Sequence, residues 1–194
     1  MSQMGLLFVI SEPPPAMEEE LNEWYDREHI PERLAIDGFV SALRFVSAER
    51  PRRFLALYDL TSVGILQTPQ YKAFAGANFT PWTKRIVSRA KFTRAETVQV
   101  APGDAATAST PKLLVLRFSG VPEADAPRIA KGAKRCFDGK PGVGQLRVFA
   151  GAGNEAGSHF VIVGGNGDLT DLVDTEAFGK AARCLDIEEI FLPC

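Results

Sequence analysis

The 194-residue chain is 45% hydrophobic and 24% charged, with 22 basic against 24 acidic side chains and a formal net charge of −2. This length suits one large domain or two small ones, and the composition can bury a sizeable core. Without a basic excess there is little to neutralise a row of phosphates, which argues against nucleic acid as a partner. No apolar run approaches the ~20 residues of a membrane-spanning helix. The opening MSQMGLLFVISEPPP lacks a basic n-region and its apolar stretch is too short for a signal peptide. Three cysteines, Cys136, Cys184 and Cys194, form no CxxC pair. An odd, sparse set of thiols points to a reducing compartment, and the expected location is the cytoplasm.

In chain order the first half opens with the apolar run Leu6–Ile10, followed by an acidic helical segment over Met17–Leu34. Strand-like runs follow at Gly38–Val46 and Arg53–Leu60, then a short helix around Pro69–Phe74 and a strand at Arg94–Val100. The polar, small-residue stretch 101–111 reads as a linker. The second half offers a strand at Leu113–Phe118, a helix near Ala124–Phe137 and strands at Gly142–Phe149 and Phe160–Val163. A helix over Thr175–Arg183 and a strand at Ile187–Leu192 complete it. The two halves therefore repeat one β-α-β-β-α-β order, the ferredoxin-like unit.

Local echoes support the repeat. DGFVSALRF faces PGVGQLRVF, allowing one deleted residue, and RFLALYD faces HFVIVGG. Period-two alternation puts Val40, Ala42, Arg44 and Val46 on one face and Phe39, Ser41, Leu43 and Phe45 on the other. Both faces are largely apolar, so one is expected under the half's own helices and the other against the second half's sheet. The expected fold is α+β: two tandem ferredoxin-like repeats packed sheet to sheet as an α+β barrel. Its parts are a repeat over residues 1–100, a linker over 101–111 and a degenerate repeat over 112–194.

Chemistry concentrates in LNEWYDREHIPERLAIDGF, residues 21–39. Met17, Leu21, Trp24 and Glu28 share one helical face, with Tyr25 and His29 beside it. Pro31 disfavours helical geometry at Ile30, so the helix is expected to end or kink near His29 and aim that side chain into a cavity. His29 is one of two histidines; its ordinary pKa near 6.5 suits proton transfer at neutral pH, although a satisfied structural histidine would look the same. Arg44, on an otherwise apolar strand face, needs a partner: a carboxylate such as Glu28, or an anionic group on a substrate. Tyr58 reads as a packed phenol or a hydrogen-bond donor, and Trp24 as core or as a platform for a ring. Phe79 and Trp82, in GANFTPWTKR, can cover a pocket mouth or seal a core edge. His159 reads as peripheral, and no second His or Cys stands at zinc-ligand spacing.

The pattern WYxxEHIPE, followed by Leu34, Ala35, Gly38, Phe39 and a strand carrying Arg44, resembles the EthD-like branch of the dimeric α+β barrel superfamily. The resemblance covers about the first 100 residues, to Tyr58 and Tyr71. The second half follows the fold pattern alone, with Ala133 and Gly164 expected where the first half has His29 and Tyr58. One working site and one structural half are therefore implied.

The resemblance implies a cofactor-independent lyase or isomerase acting by proton transfer on a hydroxylated aromatic or polyketide-like small molecule, with decarboxylation, C–C cleavage and dehydration as candidate reactions. In that reading His29, Arg44 and Tyr58 are catalytic, and Trp24, Tyr25, Glu28, Phe79 and Trp82 bind the substrate. Two alternatives stay open. One is a haem-binding or monooxygenase-like barrel, with haem in place of no cofactor. The other is a non-catalytic small-molecule-binding accessory protein. No metal, nucleic acid or membrane partner is expected, and homodimer formation stays open.

Overall fold

In the computed structural model, which describes residues 3–194, each half builds a four-stranded antiparallel sheet. The first half supplies β1 (Gly5–Glu12), β2 (Phe39–Ser47), β3 (Phe54–Leu60) and β4 (Lys91–Ala101). The second supplies β5 (Lys112–Phe118), β6 (Val143–Gly151), β7 (His159–Gly165) and β8 (Leu185–Pro193). The order around the closed barrel is β1-β3-β2-β8-β5-β7-β6-β4. Each sheet thus has the ferredoxin-like order 4-1-3-2, and closure joins β2 to β8 and β4 to β6. Closing the sheet leaves no long exposed edge, the usual liability of β structure.

Alternation sorts the side chains between two environments. Leu6, Phe8, Ile10, Leu55, Leu57, Val115, Phe149 and Ile162 point inward and fill the barrel. Intervening residues face outward beneath helices: Leu7, Val9, Ala56 and Tyr58 in the first half, Leu114, Leu116, Val161 and Val163 in the second. The middle of the barrel is therefore a packed core and not a ligand cavity.

Polar pairs occupy the interior on either side of this apolar middle. Arg147 Nη1 donates to Asp59 Oδ1 at 2.7 Å with both side chains essentially inaccessible. The other Asp59 oxygen accepts from the Ser41 hydroxyl at 2.6 Å and the Thr107 amide at 2.8 Å. Arg53 donates to Glu189 at 2.9 Å and to Glu12 at 2.7 Å, and Ser47 also donates to Glu189. These contacts satisfy most of the charge that burial would otherwise leave exposed to a low dielectric.

Two expectations about strand register change. A β-bulge between Phe39 and Ser41 in β2 turns Phe39 outward, with Ala42 and Val46, and leaves Val40 47% exposed. The same bulge recurs between Val143 and Gln145 in β6. The repeats therefore align without a deletion: Gly38 matches Gly142, and Arg44 matches Val148, not Arg147. Gly38 and Gly142 both sit at positive φ, 97° and 80°, where a side chain is strained. The pairing also matches Tyr58 to Val163 instead of Gly164, since each lies opposite the equivalent outward residue, Ala42 or Leu146.

The covering helices differ between halves. The first half uses α1 (Glu18–Trp24), a π-helical turn (Tyr25–His29) and α2 (Ile30–Leu34), followed after β3 by α3 (Pro69–Lys72) and α4 (Pro81–Arg89). The helix neither ends nor breaks at His29. The π turn bonds the Ile30 amide to the Tyr25 carbonyl, an i→i+5 pattern that absorbs Pro31 without stopping the helix. The second half uses α5 (Ala126–Phe137) and a 3-10 segment, Thr175–Cys184. An ordinary helix there is prevented by Gly179, at φ 55° and ψ −130°. Among the described residues no helix is long and apolar enough to cross a membrane.

Candidate functional site

Beneath the π turn lies a cavity of about 160 Å³, lined in part by Leu7, Val9 and Tyr58 on the sheet and by Trp24, Tyr25 and His29 on the helix. Arg33, Tyr71, Phe79, Val87, Phe92 and Arg94 complete the wall. Its volume is close to that of an engineered apolar cavity of about 150 Å³ that admits benzene, so it matches one aromatic ring.

The π turn decides how His29 is held. Trp24 and His29 are five residues apart, which in an α-helix puts them on different faces and in a π turn brings them into register. Their rings stack at 4.2 Å with an interplanar angle of 28°. Tyr25 and Tyr58 meet the imidazole edge-on at 5.5 and 6.1 Å. The Trp24 indole is fixed in turn: its Nε1 donates to Thr83 Oγ1 at 2.9 Å, and the Thr83 hydroxyl donates to Glu28 Oε1 at 2.8 Å. Thr80 also donates to Glu28 at 2.6 Å. Glu28 does not line the cavity; it ties the π turn to α4.

No acidic partner supports a positive imidazole. His29 Nδ1 is buried without a hydrogen-bond partner among the described residues. Burial, and then the Arg33 guanidinium, hold the His29 pKa well below 6.5, so the ring is neutral at physiological pH. The Tyr58 hydroxyl is likewise buried and lies beside the Tyr25 phenol, with no well-formed hydrogen bond among the described residues; burial, followed by that neighbouring phenol, pushes its pKa well above 10. Burial also raises Tyr25. The site therefore sets a neutral imidazole and tyrosine hydroxyls beside the guanidiniums of Arg33 and Arg94 in a largely aromatic wall, where a hydrogen bond to a ligand is worth more than in water.

Of the residues singled out in the sequence, the cavity brings together His29, Tyr58, Trp24, Tyr25 and Phe79. Trp82 packs against the core from α4 and does not line the cavity. Arg44 lies outside it, because its outward direction from β2 carries it to the far side of Tyr25. There its guanidinium sits 4.3 Å from the Tyr25 ring centroid and donates to Asn22 at 2.6 Å. Asp26, at 3.5 Å, is its carboxylate neighbour in place of Glu28. Arg44 lines a separate groove of about 340 Å³ with Asp26, Ile30, Thr110 and Cys194. His159, at the start of β7, is buried and outside the His29 cavity.

Sequence reasoning missed Arg33 and Arg94 as wall residues. Arg33 follows His29 by four positions, the spacing that puts two side chains on one helical face, but this signal is lost once the helix is expected to end or kink between them. Arg94 looked like the first residue of a strand; its Nη2 reaches Tyr71 Oη at 3.3 Å and its Nη1 pairs with Glu96 at 2.7 Å.

No protein-family model and no curated protein sequence matches the chain. Solved structures do resemble it. An anthrone oxidase-like protein superposes with a TM-score of 0.70 at 13% identity, over 100% of this chain and 92% of that one. A provisionally assigned chlorite dismutase gives 0.63 at 11% identity, over 100% and 95%. A provisionally assigned monooxygenase from Lactobacillus acidophilus NCFM gives 0.60 at 12% identity, over 100% and 94%. At these identities the likeness concerns fold, and fold does not fix reaction. The chain has the fold of the dimeric α+β barrel proteins, closed here within a single polypeptide.

Proposed function

We propose that the His29 cavity binds a hydroxylated aromatic ring and that the chain oxidises it with molecular oxygen, without a resident cofactor. The observation that carries this reading is the neutral His29 imidazole in the wall of a ring-sized, largely aromatic cavity. The anthrone oxidase-like and monooxygenase-like barrels among the structural neighbours support it by analogy of fold. The WYxxEHIPE segment supports placing the chain in the EthD-like branch. Its three free thiols suit a reducing, cytoplasmic setting.

The first step is proton transfer from an acidic O–H or ring C–H of the substrate to His29. A free imidazolium gains little here, because no carboxylate lines the cavity. The anion left on the substrate supplies the missing countercharge, so His29 becomes a competent base only with substrate bound. Tyr58 donates a hydrogen bond to that anion, and the aromatic wall holds the ring and excludes water. The electron-rich anion then reduces oxygen. One oxygen atom enters as a carbonyl where two hydrogens were lost, and the other leaves in water with both protons. The substrate supplies all the electrons.

Haem, the alternative cofactor, does not fit. A porphyrin joins four pyrrole rings, whereas the cavity beside His29 holds one ring, and the imidazole is already packed flat on Trp24. A lyase or isomerase would share the first proton transfer and differ in consuming no oxygen, which makes the distinction measurable.

Oxygen uptake with phenols and anthrone-type compounds, each with and without a carboxylate on the ring, and mass spectrometry of the products, tests the proposal. One oxygen should be consumed per quinone or ketone formed, and His29→Gln should slow turnover by about 10²–10⁴-fold. Equal product formation under argon would replace oxidation by a lyase or isomerase reaction. Binding with no product from any compound would leave a binding protein.

A further inference from the structure

The Arg33 guanidinium is unlike the other buried arginines. Arg53 and Arg147 are paired with Glu12, Glu189 and Asp59. Arg33 is only 3% exposed and forms no ion pair among the described residues. Its Nη2 donates to the Phe74 carbonyl at 2.7 Å and its Cζ lies 5.2 Å from the Tyr71 ring centroid. Its Nη1 is buried and has no hydrogen-bond partner among the described residues. An unpaired buried cation is costly, and Arg cannot escape the cost by losing its proton. The residue nonetheless lines the cavity, one helical turn from His29, and no carboxylate shares that wall.

We infer that Arg33 is a specificity-determining residue that selects an anionic substituent, so that the ligand is an aromatic carboxylic acid and not a neutral phenol. The inference deepens the proposed function and rests on its choice of cavity. A carboxylate on the ring supplies the acceptor that Nη1 lacks, through a charge-assisted hydrogen bond in an apolar setting. Tyr71 braces the guanidinium from its face, so little conformational freedom is lost when the ligand arrives. Arg94 does not compete for the role, because Glu96 already pairs with it. Arg33, Tyr58 and His29 line the same ring-sized cavity, so a ring whose carboxylate is held at Arg33 shares that space with both.

Benzoate and benzamide, nearly isosteric and different in charge, test this by calorimetric titration without oxygen. The wild type should bind benzoate at least about tenfold more tightly than benzamide. Arg33→Met, which keeps much of the bulk, should bring the ratio near one, and Arg33→Lys should retain part of it. If Arg33→Met fails to fold, judged by circular dichroism, the lysine variant and the wild-type ratio still decide. Equal affinities in the wild type, a ratio unchanged in either variant, or no binding of benzoate would overturn the inference. The binding readout is independent of turnover. A benzoate preference without oxygen uptake removes the oxidation reading and leaves this inference standing, while uptake without that preference does the reverse.

Discussion

Beneath α1 and its π turn the outer sheet face carries Leu7, Val9 and Tyr58; beneath α5 the equivalent positions are Leu114, Leu116 and Val163. Both faces are covered by a helix and a following segment, yet the His29 cavity lies under the first. In the second half Phe178, from the 3-10 segment, reaches down onto α5 and packs beside Phe118 with ring centroids 4.9 Å apart. It comes so close that a Cβ at Gly132 would stand 2.5 Å from its ring. Ala133, nine residues before Gly142 as His29 is before Gly38, is fully buried. In the first half the corresponding space is bounded instead by the rims of Tyr71, Phe79 and Val87, with His29 and Arg33 in its wall. One architecture thus leaves a cavity or closes it, according to whether a single large apolar side chain occupies the space under the helix.

The largest effect expected concerns what joins the halves. Arg147 on β6 and Asp59 on β3 cross from one repeat to the other, so Arg147→Met leaves a buried carboxylate without its cation. The cost should be about 3–5 kcal/mol, read as a lower urea midpoint. Replacing both partners, with Asp59→Leu added, should recover much of it, because burying a well-packed apolar pair costs less than an orphaned charge. If the single and double variants are equally unstable, the pair does not hold the repeats in register as argued.

A smaller effect separates the two covered faces. Phe178→Leu removes filler from a closed core and should cost about 1–2 kcal/mol. Phe79→Leu trims a half-exposed cavity rim and should stay within about 0.5 kcal/mol. Thermal denaturation of the two variants side by side would sharpen the contrast, and equal losses would blur it.

The repeat was legible because periodicity and Gly-bounded strands report local geometry, and closure of two sheets follows once both faces of β2 read as apolar. The registers were not. A bulge adds one residue without changing composition, so simple counting puts Phe39 on the wrong face of β2. The candidate site was half legible. His29, Tyr58 and Trp24 stand out by residue type and spacing, but the π turn that stacks Trp24 on His29 leaves no mark beyond Pro31, which reads equally as a stop. Arg44 stands out as a lone cation on an apolar strand, and its neighbours, Asn22 and Asp26, lie six and two residues before the expected Glu28. Arg33 was hidden for the reason Arg44 was not: it follows Glu32 in a segment rich in ordinary surface charge.

The smallest expected effect tests whether the His29 environment is as apolar as its partners indicate. Burial and Arg33 lower its folded-state pKa beneath the unfolded value near 6.5. Above pH 6.5 the ring is neutral in both states and its contribution to stability is complete. As pH falls below 6.5 the unfolded chain takes up a proton that the folded chain refuses, so stability declines until the lowered folded-state value is passed. His159 behaves in the same direction, since burial lowers its pKa too. Urea midpoints at pH 7.5 and 5.0 for the wild type, His29→Gln and His159→Gln would separate them. The His29 variant should lose part of the acid-induced decline. If it declines as steeply as the wild type, the imidazole is already hydrated or paired in the native state, and the first half's cavity is wetter than the second half's core by more than Phe178 explains.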